Sequence, residues 1–222
     1  MKSPSKTEER TCILIVALTG GIATGKSVVA RFLAERGCRI HEADKAAHAL
    51  MEPGRPAWRK VIDHFGPGIL NADRTIDRRR LAAIIFTDKK ERGFMDGLVH
   101  PLVLEKMREA ADPFKNEGRT RVFVSEAALT IEAGFAPFFD KVVVAWCRPE
   151  VQLQRLMDRD RIGPEEALKK VRSQMDLEEK KKHADYLIDT SGTLADTESR
   201  TETVYQSLLA DYQRKGRPGS KV

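Results

Sequence analysis

Cysteine is scarce: Cys12, Cys38 and Cys147 are the only three in 222 residues, and they stand far apart in apolar runs. No two form a Cys-x-x-Cys pair and no histidine lies at zinc-ligand spacing from any of them, which removes a thiolate metal centre and a dithiol redox motif. The expectation is buried, reduced cysteines in a cytoplasmic protein. Long apolar runs are missing too. None approaches the ~20 residues a membrane-spanning helix needs, so no membrane partner is expected. Met1 to Arg10 is polar and charged without an apolar h-region, and reads as a flexible leader rather than a secretory signal. There is no internal repeat and no long low-complexity stretch. The guanine-specifying Asn-Lys-x-Asp is absent, and Thr87-Asp88-Lys89-Lys90 does not fit it, which argues against a GTPase-type switch.

Apolar residues make up 41% and charged residues 32%, an ordinary composition for a soluble domain, slightly rich in charge. The formal net charge of +6 is compatible with nucleic-acid binding or with handling small polyphosphates. Lysine and arginine are spread along the chain, apart from the short runs Arg78-Arg79-Arg80 and Lys180-Lys181-Lys182. That dispersal favours a small anionic ligand and no nucleic-acid partner.

What the chain does have is a glycine-rich turn after a β-branched run. Cys12 to Leu18 is apolar, and Gly20-Gly21-Ile22-Ala23-Thr24-Gly25-Lys26-Ser27 follows it, matching Gly-x4-Gly-Lys-[Ser/Thr]. Each residue type has a physical task. Glycines let backbone N–H groups converge on an anion, and the helix that starts near Gly25 adds its positive end. Lys26 can reach the β- and γ-phosphates, and the Ser27 hydroxyl can ligate Mg²⁺. The helical pattern of Val28, Val29, Phe32 and Leu33 completes a strand–loop–helix unit that stops at Arg36-Gly37.

Strand and helix patterns then alternate, which predicts an α/β fold with a doubly wound parallel sheet. Strands are expected at 12–19, 38–41, 122–124, 141–146 and 186–188. Helices are expected at 25–36, 43–51, 56–65, in two pieces from 76 to 100 and beyond, from 149 to about 159, from 163 through 182, and at 193–214. The spacing places one domain over 11–215, with its core at 11–50 and 113–215. A helical insertion occupies about 51–112, a lid about 150–182, and a mobile tail 216–222.

Candidates for chemistry belong at the carboxyl ends of strands. Asp44 follows the second strand and is either a proton acceptor or a helix N-cap. Glu126 ends the third strand and is either a Mg²⁺-holding acid or an ordinary strand-end carboxylate. Arg155 and Arg159 share a helix face near Arg161, and form either a cationic lid or a solvated face paired with Asp158 and Asp160. His100, in Val99-His100-Pro101-Leu102, reads by itself as a hydrogen-bonded core histidine.

With these residues in place, the chain resembles the dephospho-CoA kinase family from Ile15 to about Leu209. Ala17-Leu18-Thr19-Gly20-Gly21-Ile22-Ala23-Thr24-Gly25-Lys26-Ser27 is similar to the family's opening motif. Glu42-Ala43-Asp44 resembles its Asp-Ala-Asp, whose second acid, here Asp44, is the proposed base. Further matches are His64-Phe65-Gly66, Ile76-Asp77-Arg78 with Leu81, and His100-Pro101. Glu132, the run Gln152 to Asp160, Gln174 and Ala184-Asp185 follow in order.

The resemblance implies a phosphate-loop kinase fold. It also implies phosphorylation of the ribose 3′-hydroxyl of dephospho-CoA by ATP with Mg²⁺. The implied catalytic residues are Asp44, Lys26 and Arg159. The implied nucleotide site is Gly21, Ala23, Thr24, Gly25, Lys26, Ser27, Val28, Arg155 and Arg159. The implied acceptor contacts are Asp44, Arg78, His100 and Glu132, and the oligomeric state stays open between a monomer and a weak oligomer.

Departures from the family pattern mark where the site differs. Ala23 stands for glycine, which requires a negative φ there. Val28 stands for threonine, Glu42 for aspartate, Ala128-Leu129-Thr130 for Pro-Leu-Leu, and Thr190 for asparagine near the expected adenine edge.

Overall fold

The computed structural model describes residues 13–115 and 120–216, with the backbone alone at Phe86. The expected leader, Cys12, and the expected tail beyond residue 216 lie outside the described residues. The chain divides into two compact units, one formed by residues up to His41 with those from Ala111 onward, the other by Glu42–Ala110.

The first unit is built on five strands: β1 (Leu14–Gly20), β2 (Arg39–Glu42), β3 (Val122–Glu126), β4 (Lys141–Trp146) and β5 (Tyr186–Asp189). Their order is β2-β3-β1-β4-β5. β1 pairs in parallel with β3 and β4, and β4 with β5, so β1 lies inside the sheet. A strand covered on both faces reads as continuous apolar sequence, which is why residues 13 to 18 show no polar alternation. Leu14, Val16 and Leu18 point to one face, where they pack with Val29 and Leu33 of α1 (Lys26–Glu35). Val204 and Leu208 of α9 (Leu194–Lys215) close the same cluster. Ala17 points to the other face, among Val142, Val144 and Ile131. The period of two thus sorts β1 between two half-cores.

Three helices follow β4: α6 (Pro149–Asp160), α7 (Pro164–Arg172) and α8 (Leu177–Lys181). The single helix expected through residue 182 is interrupted. Asp176 accepts from the N–H groups of Glu178 and Glu179 and starts α8 afresh, leaving Gln174 and Met175 in a turn. Cys38 and Cys147 are free and buried, each beside a strand end.

The second unit carries α2 (Ala43–Leu50), α3 (Pro56–Phe65), α4 (Arg78–Thr87) and most of α5 (Lys89–Lys115). Its own core joins Trp58, Val61, Ile69, Ile76, Leu81 and Met95. α4 begins at Arg78 rather than Ile76 because the Asp77 carboxylate accepts from the N–H groups of Arg79 and Arg80.

Candidate active site

β1 delivers Gly20 to the carboxyl edge of the sheet, where close approach excludes any side chain. A Cβ at Gly20 would lie 2.7 Å from Thr24 Oγ1 and closer still to the Ala145 carbonyl oxygen. The loop closes on itself through Thr24, whose Oγ1 donates to the Gly21 carbonyl at 2.9 Å. Gly25, at φ 78°, is the left-handed N-cap of α1 and accepts from the N–H groups of Val28 and Val29. Ala23 overturns the expectation of a negative φ: it sits at φ 59°. A left-handed L-residue costs roughly 1–2 kcal/mol. Left-handed backbone at positions 23 and 25 is the conformation in which successive N–H groups form an anion-binding concavity.

Lys26 and Ser27 open α1 and converge on one acid. Lys26 Nζ donates to Glu126 Oε1 at 2.8 Å, and Ser27 Oγ donates to the same oxygen at 3.1 Å. Pairing of Leu18 with Glu126 across β1 and β3 puts that carboxylate level with the start of the loop. Lys26 and Glu126 retain only 15% and 11% side-chain exposure, so their charges meet in a poorly screened, partly desolvated place.

A cavity of about 470 Å³ lies over the loop, walled by the loop residues Gly21 to Val28 together with Arg155, Arg159, Gln174, Thr190 and Leu194. α6 supplies both arginines, but in different states. The Arg155 guanidinium donates to Thr190 Oγ1 at 3.2 Å and to the Thr190 carbonyl at 2.7 Å. Thr190 Oγ1 donates to the Thr24 carbonyl at 2.8 Å, so Arg155 is tied to the loop through this buried threonine. Arg159 is half-exposed and pairs with Asp160, which also accepts from Lys170 at 3.0 Å. The Arg159 and Lys170 cations hold the Asp160 carboxyl down to about 2.

Glu132 is elsewhere in this unit. It pairs at 2.8 Å with Lys180, which is wholly buried and also donates to the Ala128 carbonyl at 2.9 Å. The Glu132 carboxylate accepts from the Met175 N–H as well, so its visible role is to anchor α8 and the turn before it. A charge this deep needs such a partner.

In the helical unit, Asp44 is the second residue of α2 and Glu42 the N-cap, so Asp44 is not the capping residue. His48 follows one turn later. Arg78 donates from Nη1 to His48 Nε2 at 2.7 Å, and both line a cavity of about 460 Å³ with Met51, Asn71 and Thr75. Burial and the Arg78 charge press the His48 pKa below its usual value against the pull of Asp44, which keeps the ring a neutral acceptor. His100 stands on α5 beside Asp96, at 3.4 Å.

The loop residues read from the sequence line one cavity with Arg155 and Arg159 of α6, and Glu126 was left undecided. Sequence reasoning passed over His48, whose signal was its spacing of four from Asp44 on one helix face. It saw Gln152 and Gln174 only as motif matches.

Comparison with known proteins gives one consistent family. The family model described as dephospho-CoA kinase matches residues 14–196. A dephospho-CoA kinase from Syntrophus aciditrophicus is 37% identical over 90% of this chain and 85% of its own length. One from Bacillus licheniformis is 41% identical over 84% of this chain and 92% of its own. Among solved structures, dephospho-CoA kinase from Campylobacter jejuni aligns with a TM-score of 0.62 at 29% identity, covering 89% and 98% of the two chains. A shikimate kinase from Acinetobacter baumannii, at TM-score 0.50 and 18% identity, shares the fold alone.

Proposed function

The chain belongs to the dephospho-CoA kinase family, whose reaction is ATP-dependent phosphorylation of dephospho-CoA, and on that premise we propose how its residues divide the work. The observation that carries the reading is the meeting of Lys26, Ser27 and Glu126 beneath a loop whose cavity has room for a nucleotide.

The loop N–H groups and Lys26 take the β- and γ-phosphates, with Lys26 giving up Glu126 for phosphate oxygen. Thr190 and Leu194 border the part of the cavity left for the base. Asp44 accepts the proton of the ribose 3′-hydroxyl as its oxygen bonds to phosphorus and ADP departs. Lys26 and Arg159 balance the charge spread over the transferring group. Closure of the lid at about 150–182 keeps water from the γ-phosphorus. The helical unit receives the acceptor, with Arg78 as an anion contact.

The oxygen donors Ser27 Oγ and Glu126 fit Mg²⁺, an ion commonly held by one or two protein oxygens plus substrate phosphates. Among the described residues no group of three or more His, Cys, Asp or Glu could hold a metal, and a site of that kind requires none. When bound, Mg²⁺ would draw charge from the phosphate oxygens. The free, buried Cys38 and Cys147 suit a reducing cytoplasm.

ADP release measured with and without dephospho-CoA tests the assignment. Release should depend on dephospho-CoA and stay at background with shikimate or nucleoside monophosphates. Equal release with any of those acceptors would overturn the substrate assignment.

A further inference from the structure

Ile22 is held at both of its backbone polar atoms by glutamines from distant parts of the chain. Its N–H donates to Gln174 Oε1 at 2.7 Å, and its carbonyl accepts from Gln152 Nε2 at 2.8 Å. Gln152 is a buried residue of α6, only 5% exposed, and Gln174 lies in the turn between α7 and α8. Neither bond belongs to a helix or a strand ladder. We infer that Gln152 and Gln174 are positioning residues that keep the phosphate loop in its anion-binding form by fixing the two peptide planes on either side of Ile22. This rests on the nucleotide site proposed above.

Peptide geometry makes the argument. In a trans peptide the C=O and the following N–H point in opposite directions. With the Ile22 carbonyl turned to Gln152, the Ala23 N–H points away from Gln152, and Ala23 lines the nucleotide cavity. With the Ile22 N–H turned to Gln174, the Gly21 carbonyl points the other way, where it accepts from Thr24 Oγ1 and the Thr24 N–H. A donor is thereby aimed for an anion, and an oxygen that would repel one is occupied.

The clamp also opposes a local cost. Ala23 at φ 59° gains by relaxing to a negative φ, which would swing the peptide between Ile22 and Ala23 and carry its N–H with it. The net worth of one or two hydrogen bonds is of the same order as the cost of one left-handed alanine. The balance is close, so losing either bond should show.

The test uses Gln174→Met, which keeps length and removes the acceptor, Ala23→Gly, and the double variant in the full chain. ATP affinity is read by calorimetry without acceptor; KM for each substrate, kcat and the thermal midpoint are read alongside. Gln174→Met should weaken ATP binding and raise KM for ATP about tenfold, the effect of one lost bond of ~1.4 kcal/mol. KM for dephospho-CoA and the thermal midpoint should stay unchanged. Ala23→Gly should restore most of the affinity in the Gln174→Met background, because glycine removes the drive to relax.

Normal ATP affinity in Gln174→Met overturns the inference. So does an equal effect of Ala23→Gly in both backgrounds, or a loss of ATP affinity that comes with a lowered midpoint and raised KM for both substrates. Gln152→Met frees the Ile22 carbonyl, forms an independent arm, and carries the same expectations. Should calorimetry behave as expected while no phosphate reaches dephospho-CoA, the acceptor assignment fails and the clamp stands.

Discussion

Lys26→Ala is expected to lower kcat/KM for ATP by at least about 10²–10³, the usual cost of removing one preorganised charge-stabilising donor. The geometry adds a second loss. Lys26 and Ser27 share Glu126 Oε1, so deleting the ammonium leaves a carboxylate with one hydroxyl partner at the mouth of an anion site. In a place this poorly screened, that carboxylate repels the incoming phosphates. The substitution should therefore weaken ATP binding itself, besides slowing turnover. A second variant separates the two effects. In the Lys26→Ala background, Glu126→Gln should recover affinity for ATP without Mg²⁺ severalfold, because the repulsion goes, while kcat with Mg²⁺ stays low, because the lysine cation and one oxygen suited to Mg²⁺ are both missing. Calorimetry gives the first quantity and a coupled ADP assay the second. ATP affinity and turnover within about threefold of the parent in Lys26→Ala would remove the loop from the reaction.

The loop was legible because its determinants are contiguous. Gly20, Gly25, Lys26 and Ser27 are read from eight consecutive residues after an apolar strand, and the strand–loop–helix turn they form is local. Glu126 was not legible to the same degree. Its arrival depends on the register between β1 and β3, a pairing of residues about a hundred positions apart. No local pattern distinguishes it from any other strand-end acid. The backbone of Ala23 was misread for a related reason: alanine disfavours positive φ, and the contacts that hold it there come from Gln152 and Gln174 by way of Ile22.

The break between α7 and α8 shows tertiary contacts overriding propensity. Gln174 and Met175 are good helix formers, so composition predicts continuity. Instead the Met175 N–H goes to the Glu132 carboxylate, and Asp176 caps the next helix. The helical unit was legible as helices through its apolar periodicity. Its His48–Arg78 pair was not, since it joins residues thirty apart on separate helices.

Asp44→Asn is expected to lower kcat by ~10²–10⁴, the range for one positioned general base, and to leave ATP affinity unchanged. In barrier terms that is about 2.7–5.5 kcal/mol. Loss of its helix-dipole contribution is too small to imitate it. The N-cap of α2 is Glu42, and Asp44 is a carboxylate in the first turn. Such a charge near a helix N-terminus is worth ~0.3–1 kcal/mol, and asparagine keeps the size and most hydrogen bonding of the side chain. Stability should therefore fall by less than ~1 kcal/mol, a few degrees in thermal midpoint. The two quantities diverge by enough to be read separately: a large loss of turnover with a nearly normal melt assigns Asp44 to the acceptor hydroxyl. Turnover within about threefold of the parent would show that the proton leaves the 3′-hydroxyl by another route.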